Sequence, residues 1–426
     1  MSFLLLLLFV SLCWTQEAIK LDLNKAYELA LKNNPEIKRA TLELDSLDAK
    51  ETESKLFFMP RAVLGAGLIY NSKSEEWEKP FGVSFVSVLY EYRKTLPRIK
   101  SAKLRAQAQR EVKKQLERDL KIKLLELFAQ ASLWEKLTEV KREEMAIAYV
   151  RFDRAVQRKE LGLATDVEVA RLEMVYRDKR AELRRAQFQY NQTLYRIKKL
   201  VGIKMDEYIT LESLSFEPKR GSLDKEKLLK VGIENSPLLT IKRINLALYE
   251  ERLKEANNLF DLRVQLRGEV GNSIRTGVPQ TRAYNQTGWR AGIEVLLPLF
   301  DPSTPFNLIE LENQKRGVLV EMEDSLKELE LLVNSADYEY SYLLSKLDYA
   351  LAKGKYAEEN LTLRRSEYEL ELAFDLGYAM AEKTEAEMEI MRVKYEIMLF
   401  LAKLYSLVGL DPFLALEDRH GFVKPN

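Results

Sequence analysis

The 426-residue sequence has little of the chemistry on which most enzymes and nucleic-acid-binding proteins depend. It contains one histidine, His420, and one cysteine, Cys13, which excludes a zinc site of His and Cys ligands, a Cys–His dyad or a Ser–His–Asp triad in the interior. The 67 Lys and Arg residues balance 66 Asp and Glu residues, so the positive charge typical of nucleic-acid-binding domains is missing. Only 17 Gly and 12 Pro exclude a loop-rich sandwich, while 46% hydrophobic residues exclude disorder.

Long hydrophobic runs are also missing, apart from one at residues 3–14 that includes five consecutive leucines. A run of about twelve residues is too short for a membrane-spanning helix but fits the core of a secretory signal peptide. A buried helix of a cytosolic protein is the alternative, but the run has no polar face. We therefore expect a signal peptide over residues 1–15, cleaved after Cys13 or Thr15, and an exported mature chain. Any insertion into a membrane after export would then require a closed β-barrel.

The rest of the chain contains two copies of one unit. Each copy predicts a short helix, a two-residue polar break and a second helix that begins at a proline, Pro35 or Pro237. Strand-like and then long helical segments follow, and the copies end at Gly202 and Gly409, which are suited to cap a helix. The predicted organisation is a first repeat over 16–202 (strands about 62–71 and 80–90), a linker over 203–221, a second repeat over 222–412 (strands about 262–272 and 287–299), and a C-terminal tail over 413–426.

The predicted strands have the length and the pattern of membrane-crossing strands. Residues 262–270 alternate between apolar side chains at even positions and polar ones at odd positions, and about ten residues suffice to cross a bilayer obliquely. A soluble hairpin with one wet face is the alternative. The candidates for a water-filled lumen are Arg263, Gln265, Arg267 and Glu269. Four strands cannot close a barrel, so three copies with twelve strands are the smallest arrangement with an open lumen.

Two long segments predict helices of unusual length. No glycine or proline occurs between residues 98 and 160, and residues 306–372 contain only Gly317 and Gly354 as helix-weakening residues. Apolar residues recur in steps of four and three, and the last helix carries two such stripes. Because each stripe requires a neighbouring helix, we expect helices packed side by side that can close into a cylinder.

These patterns together resemble the TolC family of outer-membrane channel proteins over essentially the whole predicted mature chain. The resemblance rests on the duplicated unit, on the segments that end in Pro35 and Pro237, on Leu-Pro-Leu-Phe-Asp at 297–301, and on Gly162 and Asp166 followed by a helix to Gly202. The fold class that it implies is mainly α with a transmembrane β-barrel portion, in which a trimeric twelve-stranded barrel continues into a long periplasmic α-helical coiled-coil barrel.

The resemblance also implies a function and partners. The protein would be the outer-membrane exit duct of a tripartite efflux or type I secretion system, a passive channel for small molecules, metal ions or proteins, with most of the chain in the periplasm. Its partners would be two further copies of itself, a periplasmic adaptor (membrane fusion) protein, an inner-membrane transporter and outer-membrane lipid. The residues expected to contact the adaptor at the helix–helix turns are Gly162, Leu163 and Phe374.

The resemblance further implies that acidic residues near these turns form a periplasmic gate that favours cations. A solvated acidic helix end is the alternative. The candidates are Asp166 in the first copy and Glu371 and Asp375 in the second. Glu371 stands four residues before Asp375, where the first copy has Gly162, so the sequence leaves the geometry of the second turn open.

Two other functions are alternatives to a channel. A periplasmic coiled-coil protein without a pore has no use for four alternating strands of bilayer length. An enzyme would require a nucleophile–base pair or a cofactor motif, whereas acidic pairs such as Glu143-Glu144 are typical of a solvated helix surface. The sequence therefore predicts neither catalytic residues nor a metal or cofactor site.

Overall fold

The computed structural model describes residues 19–72, 75–79, 81–257, 262–271, 288–298, 302–369, 376–417 and 422–424. The expected signal peptide, residues 1–15, lies outside this range. The chain forms two compact units. The helical unit comprises the described residues up to Arg39, Lys113–Pro237 and the described residues from Lys327 onward, and the sheet unit comprises the described residues of Ala40–Val112 and Leu238–Leu326.

Both repeats show the same order of elements. The first contains β1 (Ile19–Leu21), α1 (Leu23–Asn33), α2 (Pro35–Lys55), β2 (Arg61–Ala66), β3 (Ile69–Asn71), β4 (Glu76–Glu78), β5 (Phe81–Glu91), α3 (Thr95–Glu160), α4 (Asp166–Val201) and β6 (Ile209–Leu211). The second contains β7 (Ser222–Leu223), α5 (Lys225–Asn235), α6 (Pro237–Ala256), β8 (Arg263–Gly271), β9 (Gly288–Leu296), α7 (Thr304–Glu369), α8 (Leu376–Leu407), α9 (Leu414–Glu417) and β10 (Val423–Lys424). The long helices α3 and α7 each have 66 residues.

The last helix of each repeat ends on a glycine that packs against the short helix of the same repeat. Gly202 and Gly409 have φ angles of 81° and 86°, which favour glycine. A Cβ added to Gly202 would lie 2.5 Å from Cβ of Asn33, and one added to Gly409 would lie 2.0 Å from the carbonyl oxygen of Asn235. Since Asn33 and Asn235 end the equivalent helices α1 and α5, both repeats place a glycine where a side chain does not fit.

In the helical unit the four long helices lie side by side in the order α4, α3, α8, α7. Contacts between α3 and α4 include a salt bridge of 3.0 Å from Lys141 to Glu182. Between α3 and α8, Lys136 pairs with Glu387 at 3.1 Å. Between α7 and α8, Lys346 pairs with Glu396 at 2.6 Å. Apolar stripes fill the spaces between the helices, and the stripe of α7 consists of Leu329, Val333, Ala336, Tyr340, Leu343, Leu347, Ala350 and Ala357.

Two short strand pairs complete the helical unit. The strand β1 pairs in parallel with β6, and β10 pairs antiparallel with β7. Both pairs join residues far apart in the sequence. Among the described residues, no helix combines the length and the apolar character that crossing a membrane requires.

The sheet unit contains an antiparallel sheet in the order β2, β5, β8, β9. Its central pair joins the two repeats, from Gly82 opposite Gly271 to Glu91 opposite Arg263, with an irregularity between Val88 and Tyr90. The segment predicted as one strand over 62–71 is divided into β2 and β3, and β3 pairs with β4. The reason is that β5 begins at Phe81, opposite Ala66, and no described residue pairs with β2 beyond that point.

Candidate functional site

The four-stranded sheet has one polar and one apolar face. In an antiparallel sheet, residues directly opposite each other project to the same face, so the register assigns every side chain to a face. The polar face carries Arg61, Ser84, Glu91, Arg263, Gln265, Arg267, Glu269, Arg290 and Glu294, together with the apolar Val63, Val86, Val88 and Leu296. The four lumen candidates of the sequence therefore share one face, as their alternation predicts.

The polar face between β8 and β9 is held together by a network of charged side chains. Glu269 accepts hydrogen bonds from Nε of Arg267 at 3.1 Å and from a guanidinium nitrogen of Arg290 at 2.7 Å. Gln265 donates to Glu294 at 2.8 Å. Arg290 and Glu294 are not among the residues predicted from the sequence, because only the register between the strands shows which residues of β9 face the candidates on β8.

The apolar face is largely exposed in a single chain. Its larger apolar members are Ala62, Leu64, Phe81, Val83, Phe85, Tyr90, Val264, Leu266, Val270, Trp289, Ile293 and Val295, and the buried Ser87 is a polar residue on the same face. Trp289 is 77% exposed, and Ile293 is 67% exposed. Contact of such a surface with water costs about 25 cal/mol for each Å² of apolar area, and large patches mark sites of contact with protein or membrane. This face therefore needs an apolar partner.

On this apolar face, a glycine of one central strand makes room for an aromatic side chain of the other. Gly268 lies opposite Phe85, and a Cβ added at Gly268 would lie only 2.0 Å from the tip of the Phe85 ring. The ring thus covers the glycine, and the face keeps a large aromatic side chain near its centre.

At one end of the sheet, an ion-pair network connects the strands to the neighbouring helices of the same unit. The side chain of Glu91 is 3% exposed and accepts from Arg98 at 2.8 Å and from Arg263 at 3.0 Å. Arg98 also donates to Glu255 at 3.1 Å. Partial burial alone would lower the pKa of Arg98, but the two carboxylates outweigh it and the pKa is raised. The network thus keeps a buried carboxylate fully paired.

The turn between α3 and α4 has the conformation that its glycine predicts. Gly162 has a φ of 73°, and the amide of Leu163 donates to the carbonyl of Arg158 at 2.8 Å, which closes the end of α3. Leu163 is exposed. Asp166 follows the capping residue Thr165 and forms a salt bridge with Lys159 of the same chain. The other three candidates, Glu371, Phe374 and Asp375, lie outside the described residues.

The two edge helices of the helical unit each have a second, exposed apolar stripe. On α4 it consists of Val167, Met174, Ala181, Phe188 and Tyr195, which are spaced by seven residues. On α7 it consists of Leu331, Tyr338, Tyr342, Tyr349, Tyr356 and Leu363. A repeat of seven is typical of a coiled-coil seam. Both stripes lie opposite the buried stripe of their own helix, and most of their side chains are exposed. Tyr338 is contacted by Lys225 of α5, whose ammonium nitrogen lies 4.7 Å from the centre of the ring.

No arrangement of His, Cys, Asp and Glu in the described part of the chain could hold a metal ion. What the described surfaces offer is a two-faced sheet, two unpaired helix seams and an exposed turn. Exposed apolar surfaces of this kind mark sites of contact with other chains or with lipid.

Solved structures of outer-membrane channels share this fold. The Campylobacter jejuni CmeC outer membrane channel aligns with a TM-score of 0.70 and 14% identity, over 94% of this chain and 90% of that one. A membrane protein from Pseudomonas aeruginosa aligns with a TM-score of 0.66 and 17% identity, over 93% and 92%. The outer membrane protein VceC from Vibrio cholerae aligns with a TM-score of 0.65 and 16% identity, over 91% and 96%.

By sequence, no protein-family model and no curated protein matches the chain. The resemblance to TolC-family channels and the mainly helical class are thus confirmed at the level of the fold.

Proposed function

We propose that this protein is the outer-membrane exit duct of a tripartite efflux or type I secretion system, and that it acts as a passive trimeric channel. The observation that carries the proposal is the two-faced sheet. An exposed apolar face opposite a charged face is what a channel wall between lipid and water requires. The fold shared with outer-membrane channels over more than nine-tenths of the chain supports the same assignment.

Three copies complete the sheet. The outer strands are β2 and β9, and unpaired strand edges in lipid cost several kcal/mol for each unsatisfied group. If β9 of each copy pairs with β2 of the next, three copies close a twelve-stranded barrel. The apolar face then contacts lipid, and Arg263, Gln265, Arg267 and Glu269 face the lumen.

The internal repeat explains why such a ring can close. Within one chain, the second strand of the first repeat, β5, pairs with the first strand of the second repeat, β8. In a contact between β9 and β2 of the next copy, the second strand of one repeat again pairs with the first strand of the other. The helices follow the same rule, because α3 contacts α8 within the chain and α7 would contact α4 of the next copy. The exposed stripes on α4 and α7 are the surfaces that this contact would bury.

The proposed partners follow from the exposed turn and from the passive nature of a duct. A periplasmic adaptor protein contacts the turns at Gly162, Leu163 and Phe374, and an inner-membrane transporter supplies the energy. Most of the chain lies in the periplasm. No catalytic residue or cofactor takes part.

Reconstitution tests this proposal. The protein, purified in detergent, should have the mass of three chains by native mass spectrometry and should open stable single channels in a planar lipid bilayer. Cell fractionation should recover it with the outer membrane. A monomer that stays in solution without detergent and never conducts would instead support the periplasmic structural protein.

A further inference from the structure

The sheet unit contains a cavity of about 550 Å³ between the polar face of the sheet and the ends of α2, α3 and α6. Volumes of this order hold small organic ligands. Six cationic side chains line it: Lys50, Arg61, Arg98, Arg105, Arg252 and Arg263. Only three acidic side chains share the wall, namely Glu53, Glu91 and Glu255. The wall thus has a surplus of positive charge.

The surplus remains after the ion pairs are taken into account. Glu91 is held by Arg98 and Arg263, Glu255 by Arg98, and Glu53 lies 3.9 Å from Arg61. The other three cations, Lys50, Arg105 and Arg252, form no ion pair with any residue that the structure describes. Three positive charges of one cavity are therefore available to a ligand.

The wall also contains hydrogen-bonding groups without a partner. Oγ of Ser101 and Nε of Arg263 are buried and have no hydrogen-bond partner among the described residues. The whole residue Ser101 is only 5% exposed. Buried polar atoms in proteins are nearly always hydrogen-bonded, so such atoms indicate a missing partner. Both groups are donors, as recognition of an anion requires.

One part of the wall is apolar. Phe57, Met59, Val86 and Val88 line the cavity together with the cations. A free inorganic anion would leave this part of the wall in contact with water only. A ligand that combines an anionic group with a flat apolar body would cover it and would also neutralise the unpaired cations.

We propose that this cavity binds small organic anions, meaning sulfonates, carboxylates or phosphates that carry an apolar body. The anionic group contacts Lys50 and Arg105, and the apolar body contacts the side of Phe57 and Met59. That the cavity lies on the route of exported compounds rests on the proposed function, whereas the binding itself does not. In the proposed trimer, three such sites would lie on the lumen side of the wall and would favour anionic aromatic cargo.

Calorimetry with a matched pair of probes tests the site. Naphthalene-2-sulfonate and the uncharged naphthalene-2-sulfonamide are titrated into the protein in a neutral detergent, with titrations into detergent alone subtracted. We expect one site per chain for the sulfonate and about tenfold weaker binding of the sulfonamide, because charge-assisted contacts are lost. Equal binding of both probes, or no binding of the sulfonate, would overturn the proposal.

Variants locate the site within the protein. Lys50→Gln together with Arg105→Gln should weaken sulfonate binding about tenfold, since neither cation forms an ion pair within the described part of the chain and their loss breaks none. The control removes Lys38 and Lys103 in the same way, which takes the same charge from the same two helices outside the cavity. Equal weakening in both variants would show only general attraction of anions and would overturn the site.

The channel measurement is separate from the binding measurement. A protein that conducts but does not bind the sulfonate disproves the anion site and leaves the proposed function intact. A protein that binds the sulfonate at this site but never conducts disproves the proposed function and leaves the site intact.

Discussion

Glu91 is a carboxylate that lies buried inside the sheet unit and is paired there with two cations. Its side chain is almost completely buried, yet it accepts hydrogen bonds from two guanidinium groups, those of Arg98 and Arg263. Taking a charge out of water is costly, and the cost is offset only when every partner is in place. The energy of the network therefore depends on all of its members rather than on any single pair.

The first prediction follows from this dependence. Glu91→Gln keeps the shape of the buried side chain but removes its charge, so Arg263 loses its carboxylate partner and Arg98 keeps only Glu255. We therefore expect a loss of about 2 kcal/mol in the free energy of unfolding of the sheet unit. Thermal unfolding followed by circular dichroism measures it. The matched control is Glu53→Gln, whose carboxylate is 72% exposed and should change the stability by less than about 0.5 kcal/mol. If the thermal unfolding midpoints of Glu91→Gln and Glu53→Gln are equal, the ion pairs of Glu91 do not stabilise the sheet unit.

A second network, between α3 and α4, makes the stability of the helical unit depend on pH. Lys141 and Lys179 each pair with both Glu144 and Glu182, at 2.9–3.1 Å. Partial burial would raise the pKa of Glu182, but the two lysines outweigh it and the pKa is lowered. Burial would also lower the pKa of Lys141, but the two carboxylates outweigh it and the pKa is raised. Each of these two shifts favours the charged form of its group.

The second prediction concerns acid. A carboxylate with a lowered pKa contributes stability above its unfolded pKa and loses it as the pH falls through the folded value. The unfolding temperature should therefore stay constant from neutral pH to about pH 5 and fall below that. Glu182→Gln should lower the stability at pH 7 by at most about 1 kcal/mol, because the site is partly exposed, and should flatten the fall in acid. If the difference in stability between the parent protein and Glu182→Gln is the same at pH 3 as at pH 7, protonation of Glu182 does not cause the loss of stability in acid.

At the scale of the elements, the sequence predicts best what depends on local residues. The helices α3 and α7 are foreseeable, because their prolines lie in the first turn and few glycines interrupt them. The four lumen candidates on β8 can be predicted because apolar and polar residues alternate along the strand. The residues from other parts of the chain that pair with them cannot be predicted in this way. Arg290, Glu294 and Arg98 join the site through strand register and tertiary contacts, and the division of the strand over 62–71 depends on where β5 begins.

The third prediction tests the two faces of the sheet at neighbouring residues of β9. Ile293 projects from the apolar face and Gly292 from the polar face, and an added Cβ at Gly292 would meet no atom within 4 Å. In a bilayer, Ile293→Arg should cost about 2–4 kcal/mol and greatly reduce the amount of trimer in the outer membrane. Gly292→Arg adds the same charge on the lumen side and should assemble normally. Equal assembly of both variants would show that the apolar face does not contact lipid.

At the scale of the whole molecule, the two repeats relate the contacts between copies to contacts within one chain. In the proposed ring, each contact between neighbouring copies is equivalent to one that already exists between the two repeats. The seam between α3 and α8 is already buried in one copy, whereas the stripes on α4 and α7 are exposed. Such an interface is heterologous, and it closes into a ring only when the rotation between copies fits. The tyrosines of α7 should then provide much of the energy of association, since buried aromatic residues dominate interfaces.

The fourth prediction follows for Tyr349 and Tyr356, which are 68% and 60% exposed in the single chain. Replacing both with Gln should weaken the trimer by about 2 kcal/mol or more, without loss of helix in the monomer. Native mass spectrometry over a series of detergent concentrations measures the trimer. Lys355→Gln is the control, because that side chain is exposed on the same helix outside the stripe. A trimer of unchanged stability would place the contact between copies elsewhere.

The fifth prediction concerns the gate, where three-fold symmetry would turn one carboxylate per chain into a ring of three. Glu371→Gln combined with Asp375→Asn should raise the conductance and weaken the preference for cations, because charged rings of this kind set selectivity. Asp166→Asn should have a smaller effect, since Lys159 of the same chain already pairs with that carboxylate.

Because Asp166 pairs with Lys159, removing one partner or the other should shift the reversal potential of the channel in opposite directions. Lys159→Gln removes the cation and leaves Asp166 unpaired at its exposed position, so the reversal potential in a potassium chloride gradient should move toward stronger cation preference. Asp166→Asn should move the potential the other way. Because general damage to the turn would change both variants in the same direction, opposite shifts would separate an electrostatic gate from a structural effect. If neither these variants nor the double variant at 371 and 375 moves the potential, the acids only cover the surface of the turns.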